Sequence, residues 1–313
     1  MGSGDEMQTY IDYSKEVKEA LETGKPVIAI ETAGTFEGFS YPQNMELAKE
    51  VTKLVKAEGA VPAYIGVIGG RIKVGLEPDE MEYLANPKEP LLKASRRDMP
   101  MLIVKGGDAL TAVASAMMVA HMTGIKVVTG GGIGGVHRGA QESFDISADL
   151  NEFTRSNVVV VCSGAKSILD LQLTMEYLET HAVEVAGYRT RELPAYMAIH
   201  SGIKLDHSLD SPEEVAKYYR IKQELGQTSG LLLACPIEEA YAADSDRMNA
   251  AIEKAVSMAE QNGIRGKILT KYIMGIIHEE MGEGSSEAGW HLNTGNAQLA
   301  AKIACEIGKT ASE

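Results

Sequence analysis

The sequence predicts an α/β fold, with a central, largely parallel sheet and helices on both faces. Two observations carry this reading. Short, continuously apolar runs recur along the chain, as expected of strands buried on both sides. Amphipathic or wholly apolar stretches of helical length alternate with them, which is the pattern of strand–helix units.

Taken in order, residues 27–30 (VIAI) read as a buried strand. Residues 44–58 follow as a helix, with Met45, Leu47, Ala48, Val51, Leu54 and Val55 at helical spacing and Gly59 closing it. Residues 61–68 form a second strand, then comes the tight pair Gly69-Gly70 and a short run over 72–76. Residues 101–105 are expected to be another strand. Residues 109–122 are apolar nearly all round, so a buried helix is expected there. Residues 125–129 run as a strand into the glycine cluster 130–135. Residues 157–162 contain VVVV and form the clearest central strand, followed by a helix over 167–177. Residues 230–235 (GLLLAC) complete the strands. Helical patterns cover 212–225, 247–262, 268–281 and 296–307, while 282–289 (GEGSSEAG) reads as a flexible loop or lid. No repeat or linker divides the chain, so one catalytic domain over 1–313 is expected, with residues 1–8 disordered or not native to the protein.

Composition narrows the function. The chain has 313 residues, 44% hydrophobic and 24% charged, enough for a large core. Its formal net charge of −14 and pI of about 5.1 disfavour nucleic acid and anionic membranes as partners. Cys162, Cys235 and Cys305 are odd in number and widely spaced, as in a chain of free thiols kept reduced. No apolar stretch is long enough to span a bilayer and no secretory signal pattern opens the chain, so a cytoplasmic location is expected.

In open α/β sheets, ligands bind beyond the carboxyl ends of the strands. Glu31, Thr129 with its glycines, and Lys166 all fall at such ends. Lys166, in CSGAKS, reads by position either as an amine in a dry pocket, able to form a Schiff base, or as an exposed lysine at a helix start. Glu31 reads either as a general acid with a raised pKa or as a helix cap. Glycine-rich 129–139 lacks both nucleotide-binding patterns, but its amides can approach a ligand closely, and it carries His137. Asp145 and Asp149 are four apart and would share a face if helical. They read as ligands for a hard divalent cation or as a cap and an exposed acid. Lys93, Arg96 and Arg97 form a basic cluster, suited to a phosphate or to a solvated turn.

Together these segments resemble the pseudouridine-5′-phosphate glycosidase family. YPQN (41–44), KVGL (73–76), KASRRD (93–98), GGIGGVHRGAQESFDISADL (131–150), VVCSGAKSILDLQLTMEYLET (160–180) and NAQLAAKIA (296–304) carry the likeness, in order, from about residue 25 to 307. The resemblance implies an α/β fold, a homotrimer, a divalent cation (usually Mn²⁺), and reversible cleavage of pseudouridine 5′-phosphate into uracil and ribose 5-phosphate. By position it makes Lys166 the Schiff-base nucleophile, Glu31 the proton donor and Asp145 the metal ligand. Lys93, Val113, Ser147, Ala148 and Asp149 match positions that hold the ribose phosphate, with His137 in the same loop.

The departures cluster on the side expected to hold uracil. Ala33, Glu37, Gly130 and Gly289 stand where the family usually has threonine, histidine, threonine and asparagine, and Ala112 replaces one of a threonine pair. These changes are expected to enlarge the pocket, with Phe36, Phe39 and Trp290 adding apolar surface. An altered aglycone pocket follows, and with it two alternatives: a C-ribosyl synthase for a non-uracil acceptor, or a sugar-phosphate-binding protein without catalysis.

Overall fold

The computed structural model describes residues 9–310, so the expectation for residues 1–8 lies outside the described residues. Among these, the strands are β1 (Ile11–Tyr13), β2 (Val27–Glu31), β3 (Val61–Ile68), β4 (Arg71–Val74), β5 (Leu92–Ala94), β6 (Ala109–Thr111), β7 (Val127–Thr129), β8 (Val136–His137), β9 (Val159–Cys162), β10 (Leu169–Asp170), β11 (Glu184–Tyr188), β12 (His207–Leu209) and β13 (Leu231–Ala234). One sheet runs β1-β4-β3-β2-β7-β9-β13-β11-β12, with β6 pairing β3 and β5. All its pairings are parallel except those of β3 with β4 and with β6. The expected fold class is the one observed.

The apolar runs are continuous because both faces of the sheet are covered. Val27 and Ala29 point into one core, Ile28 and Ile30 into the other. Val160 and Cys162 likewise oppose Val159 and Val161. Side chains alternate at a period of two, so each face receives every second residue. The helix Val113–Thr123 packs in the first core, and the helices Gln43–Ala57 and Pro212–Glu224 in the second.

Several elements differ from expectation. Residues 101–105 belong to a helix, Met99–Lys105, not a strand. Pro100 sits in its first turn, and Gly106 at φ 62° closes it in the left-handed conformation. Met101 and Val104 are exposed, so the apolar run was no guide to a buried strand. The expected helix 109–122 is split. Its first residues form β6, and the helix begins at Val113, buried all round from Val113 to Ala120. The helix expected at 167–177 starts at Leu171, after the short strand β10, with Asp170 as its cap.

Residues 282–289 are not a lid. Gly282 ends the helix Leu269–Met281, and Glu283–Thr310 is one helix of 28 residues. Packing overrides the weak propensity of glycine and serine here. Ser285 and Ala288 are fully buried, and Ser285 Oγ bonds His278 Nδ1 at 2.7 Å.

Candidate active site

Strands β2, β7 and β9 end side by side, and Glu31 is the last residue of β2. It is 4% exposed. Its carboxylate caps the short helix Thr32–Phe36 by accepting from Gly34 N at 2.8 Å. A Cβ at Gly34 would collide with Glu31 Oε1, and one at Gly130 would stand 2.9 Å from Glu31 Cγ. Two glycines therefore make room for this side chain. Burial pushes the carboxyl above its ordinary range, against the pull of Lys93, the Gly34 amide and Lys166. Glu31 is thus both of the things its position allowed, a helix cap and an acid with a raised pKa.

Lys166 lies in the loop between β9 and β10, not at a helix start. Its backbone N donates to Ile133 O at 3.1 Å, and Ala165 bridges Ile133, so the lysine is pinned against the glycine cluster. The nearby Lys93 cation and then burial bring the amine down to about 8, while Glu31, Asp149 and Glu37 pull the other way. A fraction of the amine is therefore neutral near pH 7, as a nucleophile requires.

Lys166 thus lies within electrostatic reach of Glu31, Lys93, Asp149 and Glu37. Lys93 sits on β5 and is exposed. His137, on β8 opposite Leu169 of β10, feels both Asp145 and Lys166, and burial lowers its pKa. Its backbone N donates to Asp145 O at 3.0 Å.

Asp145 and Asp149 do not share a helix face. Asp145 lies in the loop before the helix Ala148–Glu152, and Asp149 is in that helix's first turn, capped by Ser147. Asp149 is buried, and its two oxygens accept from Ala114 N at 2.7 Å and Gly134 N at 2.8 Å. It ties the start of the helix Val113–Thr123 to the glycine cluster. Val113, buried, and Ala148, exposed, open the two helices that Asp149 joins. Arg96 is drawn away from the site: its Nε and NH2 each meet the Glu152 carboxylate at 2.5 Å. Arg97 is exposed.

The Asp145 carboxylate is half-buried and has no side-chain partner among the described residues. No group of three His, Cys, Asp or Glu side chains among these residues could form a metal cage. A lone half-buried carboxylate of this kind would suit only a hard cation that keeps most of its water.

Residues 16–306 match the family described as indigoidine synthase A like protein. A protein of Hahella chejuensis named pseudouridine-5′-phosphate glycosidase is 49% identical over 298 residues, 95% of this chain and 98% of its own. Another of that name, from Caldanaerobacter subterraneus subsp. tengcongensis, is 48% identical over 98% of this chain and 100% of its own. The chain belongs to this family. Among solved structures, the prealnumycin C-glycosynthase AlnA in complex with ribulose 5-phosphate superposes with a TM-score of 0.89 at 34% identity, over 96% of this chain and 98% of its own. An indigoidine synthase A-like protein of Thermotoga maritima gives 0.86 at 30%, over 95% and 96%.

Against the family pattern, the departures do not simply open space. Gly130 is filled by Glu31. A Cβ at Gly289 would meet Phe39 Cζ at 3.2 Å and Met197 Cε at 3.5 Å. Phe36 stacks on Tyr64 in the core, and Phe39 meets Trp290 edge-on. The apolar groups expected to line a larger pocket are thus spent largely on one another.

Two residues of this family member went unread in the sequence. Asn296 Nδ2 donates to Gly130 O at 3.2 Å and Ser163 Oγ at 3.1 Å, bracing the ends of β7 and β9. It lies in a family motif, which was the available signal. Tyr196 reaches the glycine cluster from a segment with no periodicity. A cavity of about 620 Å³ adjoins these strand ends: Ser163 and Asn296 line it together with Tyr188, Arg189, Cys235 and Lys302, while Lys166 and Glu31 do not. No helix among the described residues is long and apolar enough to cross a membrane.

Proposed function

We propose that the protein cleaves pseudouridine 5′-phosphate to uracil and ribose 5-phosphate, with Lys166 as nucleophile. One arrangement carries this reading: Lys166, tied to the glycine cluster after β7, and the buried carboxyl of Glu31, at the end of neighbouring β2, lie within electrostatic reach of each other, the amine lowered to about 8 and the carboxyl raised. A carbon–carbon glycosidic bond has no heteroatom leaving group, so it needs an electron source at C1′ and a proton at the base carbon. In this reading the sugar ring opens at C1′ and Lys166 Nζ bonds to that carbon, while the ring oxygen takes up a proton. Glu31 delivers its proton to the base carbon. The carbon–carbon bond then breaks, its electron pair restoring the base double bond as the nitrogen lone pair forms an iminium at C1′. Water hydrolyses the iminium, releasing ribose 5-phosphate and the free amine. His137, whose pKa burial lowers, would contact the substrate from the same loop as a neutral imidazole.

Lys93 supplies the cation for the phosphate, with Val113, Ser147, Ala148 and Asp149 shaping the wall beside it. Asp145 would hold a divalent cation, most suitably Mn²⁺ or Mg²⁺, with water as its remaining ligands. When bound, that ion supplies positive charge toward the phosphate. We further propose a homotrimer of 33.6 kDa chains; the exposed apolar side chains of Phe144, Met101 and Val104 support an oligomeric contact. Light scattering at three times the chain mass checks this, and chelation followed by Mn²⁺ addition checks the metal by loss and recovery of uracil release.

The structural likeness to AlnA, together with the changed residues at 33, 37, 130 and 289, favours a second reading. There the same amine joins ribose 5-phosphate to a different acceptor. Uracil release from pseudouridine 5′-phosphate, followed by absorbance, separates the two: turnover supports the first reading, and its absence beside an intact Lys166 adduct supports the second.

A further inference from the structure

We propose that Tyr196 recognises the heterocycle, its phenol donating a hydrogen bond to a carbonyl oxygen of the base that is joined to the ribose. This inference rests on the glycosidase reading above. Tyr196 stands at the tip of a tight excursion in which Ala195 and Ala198 bridge each other and Leu193 N donates to Ile203 O at 2.8 Å. Its φ of 60° is left-handed, a conformation costly for a tyrosine and kept where surrounding structure enforces it. The enforcement is visible. Tyr196 N donates to Ser163 O at 3.1 Å, fastening the tip to the end of β9. Its ring lies over Gly132, where a Cβ would stand 2.7 Å from Tyr196 Cδ2. The next side chain, Met197, rests against Gly289.

The hydroxyl has no hydrogen-bond partner among the described residues, although every fully buried side-chain nitrogen or oxygen there has one. The phenol oxygen therefore opens onto accessible space while its ring is held. Its ring sits on the glycine cluster that follows β7, and its backbone N is held at the end of β9, so the phenol lies at the same strand ends as Glu31 and within electrostatic reach of that carboxyl. The proton from Glu31 goes to the base carbon, so a group beside Glu31 faces the departing heterocycle. Burial, with Glu31 nearby, keeps the phenol protonated throughout the neutral range, so its O–H remains able to donate. Tyr196 thus offers a polar group in a chain that has no polar side chain at 33, 130 and 289.

The test is Tyr196→Phe, which keeps the ring on Gly132 and removes one oxygen. Three quantities are measured in the variant and the parent: uracil release from pseudouridine 5′-phosphate, inhibition by free uracil, and the borohydride-trapped adduct of ribose 5-phosphate on Lys166. The expected result is a fall of about 10- to 100-fold in kcat/KM and about tenfold weaker uracil inhibition, with the adduct yield unchanged. Unchanged turnover and uracil inhibition would overturn the proposal. So would an adduct yield that falls in step with turnover, since that would place Tyr196 on the sugar side or in the framework. A parent enzyme that forms no adduct would overturn the glycosidase reading itself, and this proposal with it.

Discussion

The carboxylate of Glu31 lies folded over Gly34, whose backbone N it accepts from at 2.8 Å, in the space a Cβ at position 34 would occupy. Glycine at 34 thereby fixes where the proposed proton donor sits. Gly34→Ala suits a helix and should leave the fold intact. It should displace the carboxylate and lower uracil release by about tenfold or more, because misplacement of a catalytic group by about 1 Å is costly. Adduct formation at Lys166 should persist. Steady-state kinetics beside trapping yields checks the split.

The acid limb of the pH–rate profile should report Lys166. Its amine must be neutral to attack, so adduct formation should rise with pH through about 8 and level off above it. Lys93 is the largest cause of that lowered value. Lys93→Ala removes the repelling cation, so the limb should move upward, toward the ordinary 10.5, while KM for the phosphorylated substrate rises. A profile of adduct rate against pH for both proteins measures this.

Lys166 should also cost stability. Its folded value of about 8 lies below 10.5, so between those values the unfolded chain binds more protons and stability rises with pH. Below pH 8 the whole penalty applies, about 3 kcal/mol. Lys166→Met should therefore be inactive yet more stable at pH 7, by up to that amount, and should lose the upward slope between pH 8 and 10.5. Urea unfolding at pH 7 and at pH 10 provides the comparison.

Glu152 is buried; its two oxygens each accept from Arg96, and Oε1 accepts from Ser156 Oγ as well. Glu152→Gln leaves the Arg96 cation without its counter-charge and should cost about 2–4 kcal/mol. Because Arg96 is committed to this pair and not to the phosphate, KM should stay within about twofold if the protein is assayed well below its melting temperature. Calorimetry and kinetics together test both statements.

Where burial was uniform, the chain was legible. The runs at 27–30 and 157–162 are continuous because both faces of β2 and β9 meet helices, and Glu31 and Lys166 follow as strand-end residues. Residues 101–105 misled because Met101 and Val104 are apolar yet exposed, so their run carried no information about a sheet. Residues 282–289 misled because local propensity was read without the partners that bury Ser285 and Ala288. Arg96 belongs to a cluster that suited either a phosphate or a solvated turn, and its partner Glu152, 56 residues away, is not visible from the local pattern. Tyr196 gave no signal at all, since a left-handed tyrosine is a product of tertiary packing and not of any pattern along the chain.

The central claim is the Lys166 amine. Incubating the protein with ribose 5-phosphate and borohydride, then digesting it for mass spectrometry, reads that claim directly. The account predicts one reduced ribose 5-phosphate adduct per chain, on the peptide carrying Lys166, absent from Lys166→Met. An unmodified Lys166 peptide, or an adduct on Lys93 in its place, would contradict it.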